Sequence, residues 1–267
     1  MKIYDLNGKE SGKVDLPKQF NEEVRPDIIK KAVLAIRANK RQKYGAYKEA
    51  GQRHCVTISK MRRDYRSVYG SGRSRTPRKV MSVRGSRFNW VGAVVPNTVG
   101  GRRAHPPKAE KDWTQKINKK ENRLAIRSAL SATLISSIVR ERGHIIPEIY
   151  PFVLDNKINE IAKTKEFIDV LFKLGFEQEL ARSQKRIIRA GKGKLRGRKY
   201  ITKKSILIVV IDKRCKLAKA AKNVPGIDLI NVANLNAELL APGTHIGRAT
   251  LFTKEAIEKI GKENLFN

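Results

Sequence analysis

Residues 41–108 constrain the fold of this chain more than any other stretch. They contain no Leu and a single Ile, Ile58, but seventeen Lys or Arg against two acids, Glu49 and Asp64, which gives a net charge of +15. A segment with so few aliphatic side chains cannot bury enough apolar surface to offset the entropy lost when it orders. We define residues 41–108 as the arginine-rich segment, and we expect it either to be disordered or to be folded by a polyanion.

The arginine-rich segment has the composition of an element that binds nucleic acid. Twelve of its seventeen basic residues are Arg, and it holds eight of the chain's nineteen Gly. Guanidinium groups bind phosphate through a planar fork and stack on bases, while Gly lets the backbone approach phosphates closely. Aromatic residues lie among the arginines (Tyr65, Tyr69, Phe88, Trp90), a combination that suits folded RNA with splayed bases. The open alternative is a disordered basic segment that binds nonspecifically, although this segment is held at both ends.

The whole chain carries the same signal. Its formal net charge is +33 over 267 residues, with an isoelectric point near 10.4, and such self-repulsion indicates a polyanionic partner, most simply nucleic acid. The longest aliphatic run, residues 206–211, is too short to span a bilayer, and the N-terminus lacks the apolar core of a signal peptide. Cys55 and Cys215 form neither a CxxC pair nor a disulfide framework, which favours a reducing compartment. We therefore expect a cytoplasmic protein with no membrane partner.

Outside the arginine-rich segment, hydrophobic periodicity predicts strands and helices. Ile29, Ala32, Val33 and Ile36 share one helical face after Pro26, which predicts a helix over residues 26–40. Further helices are predicted at 119–142, 164–174 and 177–189, and two short strands at 2–6 and 12–16. A strand-like piece at 149–154 contains Pro151, which predicts an edge strand or a loop.

The C-terminal third predicts the fold class. Residues 205–211 are apolar on both faces, which is typical of a strand in the middle of a sheet. The series that follows is helix 213–222, strand 227–232, helical turn 236–241, strand 246–252 and helix 254–260. This alternation predicts an α/β fold with a mostly parallel sheet and helices on its faces, a Rossmann-like body built from residues 1–40 and 109–267. The arginine-rich segment is then a long, basic, extended loop inserted into that body.

No motif predicts a catalytic, metal or cofactor site. His54, His105, His144 and His245 lack metal-ligand spacing; His105 lies between arginines and prolines where it can stack on a base, while His144 and His245 are predicted to be structural. The glycines at 191, 193 and 197 superficially resemble a dinucleotide-binding loop, but they follow a predicted helix and precede a strand, the reverse of the required order. Residues 185–204, with ten Lys or Arg and no acid, are predicted to contact phosphate instead; the alternative is a solvated lysine-rich turn.

Three motifs, in chain order, resemble the universal family of large-subunit ribosomal protein four. They are GSGRSR at 70–75, GGRRAHPP at 100–107 and KINKKENRLAIRSAL at 116–130, of which the last is the most specific. Residues 85–99, with Phe88, Asn89 and Trp90, resemble the archaeal/eukaryotic version of the family. The absence of a long basic C-terminal extension favours an archaeal source.

The resemblance implies a structural rather than an enzymatic role. It implies that the body lies against ribosomal RNA (rRNA) on the outer surface of the large subunit, and that the loop threads into the rRNA. The loop tip, predicted within residues 72–80, would help form the constriction of the nascent-polypeptide exit tunnel. The implied partners are large-subunit rRNA, neighbouring ribosomal proteins and the nascent chain. Two alternatives stay open: an enzyme acting on RNA, and a regulator that binds its own messenger RNA.

The predicted RNA-binding residues fall into three groups. In the arginine-rich segment, the predicted phosphate ligands are Arg62, Arg63, Arg66, Arg73, Arg75, Arg78, Lys79, Arg84, Arg87, Arg102 and Arg103, and the predicted stacking residues are Tyr69, Phe88, Trp90 and His105. Where the segment rejoins the body, they are Lys119, Lys120, Arg123 and Arg127. In the second basic cluster they are Lys192, Lys194, Arg196, Arg198 and Lys199. The residues predicted to face the tunnel are Arg73, Arg75, Arg78 and Lys79.

Overall fold

The chain divides into two units in its computed structural model, which describes residues 1–212 and 214–267. The first unit consists of Met1–Lys40 and Thr114–Asn267, and the second unit consists of Arg41–Trp113. The second unit thus contains the whole arginine-rich segment together with the five residues that follow it. None of the helices in the described ranges is long and apolar enough to cross a membrane.

Strands and helices alternate along most of the described chain. The strands are β1 (Lys2–Tyr4), β2 (Glu10–Lys13), β3 (Arg78–Arg84), β4 (Arg87–Gly92), β5 (Val153–Leu154), β6 (Ile187–Ile188), β7 (Tyr200–Ile201), β8 (Leu207–Val210), β9 (Asp228–Asn231) and β10 (Thr250–Thr253). The α-helices are α1 (Pro26–Asn39), α2 (Lys119–Leu134), α3 (Ser136–Glu141), α4 (Thr164–Lys173), α5 (Glu177–Gln184), α6 (Leu217–Lys222), α7 (Ala237–Leu240) and α8 (Lys254–Lys262). The first position of the predicted helix 213–222 lies outside the described residues.

A six-stranded sheet forms the centre of the first unit. Its strand order is β2-β1-β5-β10-β8-β9, and every neighbouring pair except β1 and β2 is parallel. All four residues of β8 are buried, and β8 lies between β10 and β9, as expected for a strand that is apolar on both faces. The mixed α/β class and the mostly parallel sheet are therefore confirmed.

The helices cover both faces of this sheet, because successive strand side chains point to opposite sides. Ile208 and Val210 of β8 join one core with α4, α5 and α6. Leu207 and Val209 join a second core with α1, α2, α7 and α8. Helix α1 begins at Pro26 and buries Ile29, Ala32 and Val33, which confirms the predicted apolar face.

Two predicted helices are shorter than their sequence patterns indicate. The helix predicted at 119–142 is divided into α2 and α3 because Ile135 adopts an extended conformation. The helix predicted at 177–189 ends at Gln184, and Ile187 and Ile188 form β6 instead. Beyond Leu180 and Ser183, which are buried, this stretch offers no further side chain to the core, so its backbone pairs with β7 rather than continuing the helix.

The prediction that Pro151 makes 149–154 an edge strand or a loop is wrong. Strand β5 lies inside the sheet, between β1 and β10. Pro151 precedes the two paired residues, Val153 and Leu154, so the sheet does not need the N–H that Pro lacks.

The second unit contains regular structure that the sequence did not predict. Strands β3 and β4 form an antiparallel hairpin with Arg84 opposite Arg87, so that Gly85 and Ser86 make a two-residue turn. Gly85 has φ of +59°, a conformation that Gly adopts without strain. The register shifts between Val80 and Ser82, and this irregularity breaks the alternating pattern that would have marked β3 in the sequence.

Candidate nucleic-acid interface

Most of the arginines predicted to bind RNA have exposed side chains. In the arginine-rich segment these are Arg62, Arg63, Arg73, Arg75, Arg84, Arg87, Arg102 and Arg103, and His105 is exposed as well. Arg66, Tyr69, Arg78, Lys79, Phe88 and Trp90 are partly buried. The segment therefore presents a dense array of guanidinium groups to its surroundings, as a surface that binds a polyanion must.

The aromatic residues that are scattered in the sequence come together beside the hairpin. Phe88 and Trp90 lie on the same face of β4, and their rings stack with centroids 5.3 Å apart. Tyr65 packs its edge against Phe88, with the ring centroids 5.4 Å apart, although its side chain is largely exposed. We call Tyr65, Phe88 and Trp90 the aromatic cluster; it offers planar surfaces on which bases stack.

Arginine side chains lie over these and neighbouring rings. The guanidinium carbon of Arg66 is 5.6 Å from the centre of Phe88, and that of Arg73 is 5.9 Å from Trp90. Arg75 lies over Tyr69 at 4.2 Å. Each such contact at an exposed site contributes only about 0.5–1 kcal/mol, so a phosphate group can readily compete for the arginine.

Asp64 organises the turn that carries Tyr65 of the aromatic cluster and three predicted phosphate ligands, Arg62, Arg63 and Arg66. Its carboxylate accepts hydrogen bonds from the Ser59 hydroxyl and from the backbone N–H of Tyr65, and its carbonyl accepts one from Ser67. Arg63 and Arg66 have positive φ angles of 59° and 62° within this turn. This acid is thus a structural residue of the segment.

We call the first and last parts of the second unit, around residues 45–51 and 101–109, its two arms. Two glycines let these arms pass close to each other. A Cβ on Gly45 would lie 2.6 Å from the backbone nitrogen of Ala109, and a Cβ on Gly51 would lie equally close to the backbone of Gly101 and Arg102. The N–H of Ala46 donates a hydrogen bond to the Pro107 carbonyl at 2.9 Å. The two arms therefore lie against each other near the beginning and the end of the second unit's sequence.

The hairpin turn does not coincide with the predicted loop tip. The sequence places the tip within residues 72–80, whereas the turn lies at Gly85 and Ser86. Arg78 and Lys79 belong to β3, while Arg73 and Arg75 precede it. Residues 70–77 have an irregular backbone rich in Gly and Ser, and the tip within residues 72–80 stays a prediction.

Helix α2 separates its four predicted RNA ligands into two kinds. Lys119 and Lys120 are exposed at its first turn. Arg127 is partly buried: its Nε donates to Glu22 at 2.7 Å, and its Nη1 donates to the Phe266 carbonyl at 2.7 Å. Arg123 donates to the carbonyl of Asn267. Among the described residues of the first unit, only Lys119 and Lys120 of these four have no such hydrogen-bond partner.

The second basic cluster forms a small flap on the first unit. Strands β6 and β7 pair antiparallel, and a 3-10 helix at Lys192–Arg196 connects them. All five predicted ligands of this flap, Lys192, Lys194, Arg196, Arg198 and Lys199, are exposed. Gly191 and Gly197 flank the 3-10 helix with positive φ angles of 78° and 73°. These glycines therefore shape a turn between two strands, which agrees with the rejection of a dinucleotide loop.

Sequence reasoning missed two features of the structure. One is the contact of Arg41 and Tyr44 with Trp113, which closes the second unit; its only sequence signal is a pair of aromatic residues just inside and just outside the arginine-rich segment. The other is a buried charge network in the first unit. There, Glu179 accepts hydrogen bonds from Arg182 at 2.5 Å, from the Ser205 hydroxyl at 2.9 Å and from the Ile145 N–H at 3.0 Å.

The buried network has shifted pKa values. Burial by itself would raise the pKa of Glu179, but hydrogen bonds from Arg182, from His144 and from the Ile145 N–H lower it to about 2. Burial lowers the pKa of His144 and outweighs the opposite effect of Glu179, whose carboxylate lies 2.7 Å from its Nδ1. His144 is thus a buried structural histidine, as its sequence context indicated.

Comparison with known proteins identifies the family. Residues 14–263 match the Ribosomal protein L4/L1 family. A protein of Nanoarchaeum equitans named large ribosomal subunit protein uL4 is 50% identical over 99% of this chain and 98% of its own length. Proteins of the same name from Methanococcoides burtonii (48% identical, 96% of this chain, 95% of theirs) and Archaeoglobus fulgidus (43% identical, 98% of each) are also similar. A family match and relatives of this identity, both spanning nearly the whole length, establish that the chain belongs to the ribosomal protein L4/L1 family.

Proposed function

We propose that this protein is a structural, non-catalytic component of the large ribosomal subunit that binds large-subunit rRNA. The observation that carries the proposal is that a chain of this family holds a segment with seventeen basic residues in 68, most of whose arginines are exposed. Its relatives bear the name of a large-subunit protein. The other partners we propose are neighbouring ribosomal proteins, and the place of action is the cytoplasm.

The arginine-rich segment binds RNA as an extended internal loop of the body. Its exposed arginines neutralise phosphates, and the aromatic cluster receives unstacked bases. Arg66, Arg73 and Arg75, which lie over rings in the free protein, turn towards phosphate when RNA binds. RNA binding thereby offsets the entropy that the segment loses when it orders, because its few apolar side chains cannot do so.

Two anchors on the first unit complete the RNA-binding surface. Lys119 and Lys120 lie at the start of α2, where the chain re-enters the body. The flap presents Lys192, Lys194, Arg196, Arg198 and Lys199 on a turn between β6 and β7. Both carry exposed cations without aromatic stacking surfaces of the extent found in the second unit, so we assign them to phosphate rather than to bases.

The hairpin region forms part of the wall of the nascent-polypeptide exit tunnel. We place the tunnel-facing element between residue 72 and the end of β4, because this stretch combines the predicted tip residues Arg73, Arg75, Arg78 and Lys79 with the hairpin turn at Gly85. A cationic wall of this kind attracts acidic side chains of the growing chain when they pass within about 10 Å of it, the distance over which salt does not fully screen charges.

Salt titration tests the proposal, because each neutralised phosphate releases counterions. With the eight exposed arginines that are predicted to bind RNA engaged, we expect log K for large-subunit rRNA to fall against log salt with a slope steeper than about −5. Filter binding with the full-length protein measures this slope. A complex that is insensitive to salt would overturn the proposal, and so would failure of the protein to co-sediment with large subunits at moderate salt.

A matched pair of variants locates the effect. Replacing Arg62, Arg63, Arg84 and Arg87 with Gln is expected to flatten the slope by about 3. Replacing four exposed lysines of the first unit with Gln (Lys9, Lys30, Lys165 and Lys222) changes the net charge equally. This second variant is expected to leave the slope within about one unit of the original.

A further inference from the structure

A surface groove of about 840 Å³, open to solvent, lies where the first and last residues of the second unit meet, and we call it the cavity. Its lining combines flat and apolar side chains with cations, namely Tyr44, Arg103, His105, Pro106, Lys111 and Trp113. A volume of this size lies in the range of small-ligand pockets, and polar and apolar groups contribute about equally to this wall. Nothing in the family match or in the names of the relatives assigns a role to it.

Several contacts hold the walls of this cavity in place. The rings of Tyr44 and Trp113 stack with centroids 5.9 Å apart and planes inclined by 14°. The guanidinium carbon of Arg41 lies 3.7 Å from the centre of the Trp113 ring and 5.2 Å from that of Tyr44. The close approach of Gly45 to Ala109 fixes the spacing of the two arms beside them. The stacking surface is therefore built before any ligand arrives, which lowers the entropic cost of binding.

The chemistry of the cavity points to a nucleotide rather than to a bare phosphate. A phosphate site needs only cations, and those present are Arg103, Lys108 and Lys111 against the single acid Glu110. The aromatic rings, His105 and the two prolines add flat surface that a phosphate does not use but a base does.

We propose that this cavity receives the base of a single unpaired nucleotide of the bound RNA. The base packs on the exposed rings of Tyr44, His105 and Pro106, and the adjoining phosphates lie against Arg103 and Lys111, whose ammonium is 4.3 Å from the Trp113 ring centre. A base within a duplex cannot enter, because its faces are covered by its neighbours. This site rests on the proposed function, and it adds a base-dependent contact at the foot of the loop to the phosphate contacts of its arginines.

Trp113 itself reports on occupancy of the cavity. The chain has two tryptophans, Trp90 and Trp113, so the full-length W90F protein carries one indole reporter and keeps an aromatic ring in the aromatic cluster. The probes are a single-stranded oligoadenylate octamer, an octamer of the same charge without bases, and an octamer duplex. We expect the single strand to quench Trp113 fluorescence and to bind about 5- to 100-fold more tightly than the abasic strand, the range of one stacked base.

Variants of the cavity wall decide whether the base dependence arises there. In the W90F background, Tyr44→Ala and His105→Ala are each expected to reduce the preference for the base-containing strand at least threefold, and Tyr44→Phe is expected to retain it. Tyr47→Ala is the control, because Tyr47 lies in the same arm but does not line the cavity. His105 is exposed, so its replacement does not threaten folding even if Tyr44→Ala does.

The outcomes separate this inference from the proposed function. Equal affinity for the base-containing and abasic strands overturns the cavity as a base site but leaves charge-driven RNA binding intact. A base preference that neither Tyr44→Ala nor His105→Ala reduces places the base elsewhere and also overturns it. If no strand binds even at low salt, RNA binding itself fails, and the cavity proposal fails with it.

Discussion

The first unit buries a few charged side chains in pairs inside the fold, whereas most arginines of the second unit lie at its surface. The carboxylate of Glu179 is fully buried among Arg182, His144 and Ser205, and the fully buried Arg248 donates to Asp228 at 2.6 Å. In the arginine-rich segment, ten of the twelve arginines are exposed. Arginines thus have two roles according to their surroundings. Those that are buried and paired stabilise the fold, and those that are exposed are available to bind a partner.

The two units differ in their apolar content in the same sense. Phe152, Phe167 and Phe252 of the first unit are completely buried. In the second unit, the buried apolar residues within the described chain are Val68 and Ala93. The first unit therefore has a core able to offset its ordering entropy, while we expect the second unit to depend on RNA for part of its stability.

The largest expected effect tests this difference in core. Phe152→Ala removes a ring that contacts Tyr4 and Phe176, with centroids 5.1 Å and 6.1 Å away. We expect the free energy of unfolding of the first unit to fall by about 3–5 kcal/mol, because a buried cavity is left behind. Every α-helix in the described residues lies in the first unit, so circular dichroism at 222 nm during urea unfolding reports on this unit.

The matched control is the same truncation in the second unit. Phe88→Ala removes a ring that stacks on Trp90 but is only partly buried. We expect the urea midpoint of the helical signal to stay unchanged, while affinity for rRNA falls. An equal loss of helical stability in both variants would break the comparison, because the two units would then share one core.

The second expected effect concerns the buried carboxylate. The pKa of Glu179 is lowered to about 2 in the folded protein, so its ionised form stabilises the fold above the ordinary pKa near 4.5, and this contribution is lost as the pH falls towards 2. His144 has a lowered pKa as well, so the unfolded chain takes up protons more readily below about pH 6.5. Both groups therefore destabilise the first unit on acidification.

Glu179→Gln separates the carboxylate from the other groups that titrate. We expect this variant to be about 3 kcal/mol less stable than the parent protein at pH 7, the equivalent of the lowered pKa. The difference is expected to shrink between about pH 4.5 and pH 2, where the parent carboxylate becomes protonated too. Urea unfolding followed at 222 nm over this range measures it, and a difference that does not change with pH would show that charge is not the cause.

The first unit could be predicted from its sequence far better than the second. Local sequence patterns predict both strand β8, through an apolar run, and helix α1, through an apolar face that follows Pro26. The hairpin of the second unit was missed because its register shift between Val80 and Ser82 interrupts the period of two. The end of the helix predicted at 177–189 was missed because a helical pattern does not show where contact with the core stops.

The candidate site was predictable in composition but not in geometry. The sequence indicates that arginines and aromatic residues of the arginine-rich segment act together, yet the stacking of Tyr65, Phe88 and Trp90 depends on a fold of 26 residues. Likewise, α2 carries four basic residues in similar contexts. What distinguishes Arg127 from Lys120 is Glu22, which lies 105 positions away in the sequence and next to Arg127 in space.

The smallest expected effect tests this difference between Arg127 and Lys120, on the helix that follows the second unit in the sequence. Arg127→Gln removes an ion pair and a carbonyl contact that are partly buried, so we expect a loss of about 1 kcal/mol in the stability of the first unit and an unchanged salt slope for rRNA binding. Lys120→Gln removes an exposed cation, so we expect unchanged stability and a slope flatter by about 0.7–0.9. Urea unfolding and filter binding on both variants measure the four quantities. If Arg127→Gln flattens the slope as much as Lys120→Gln does, then its ion pair with Glu22 opens when RNA binds, and the division between structural and RNA-binding arginines does not extend to α2.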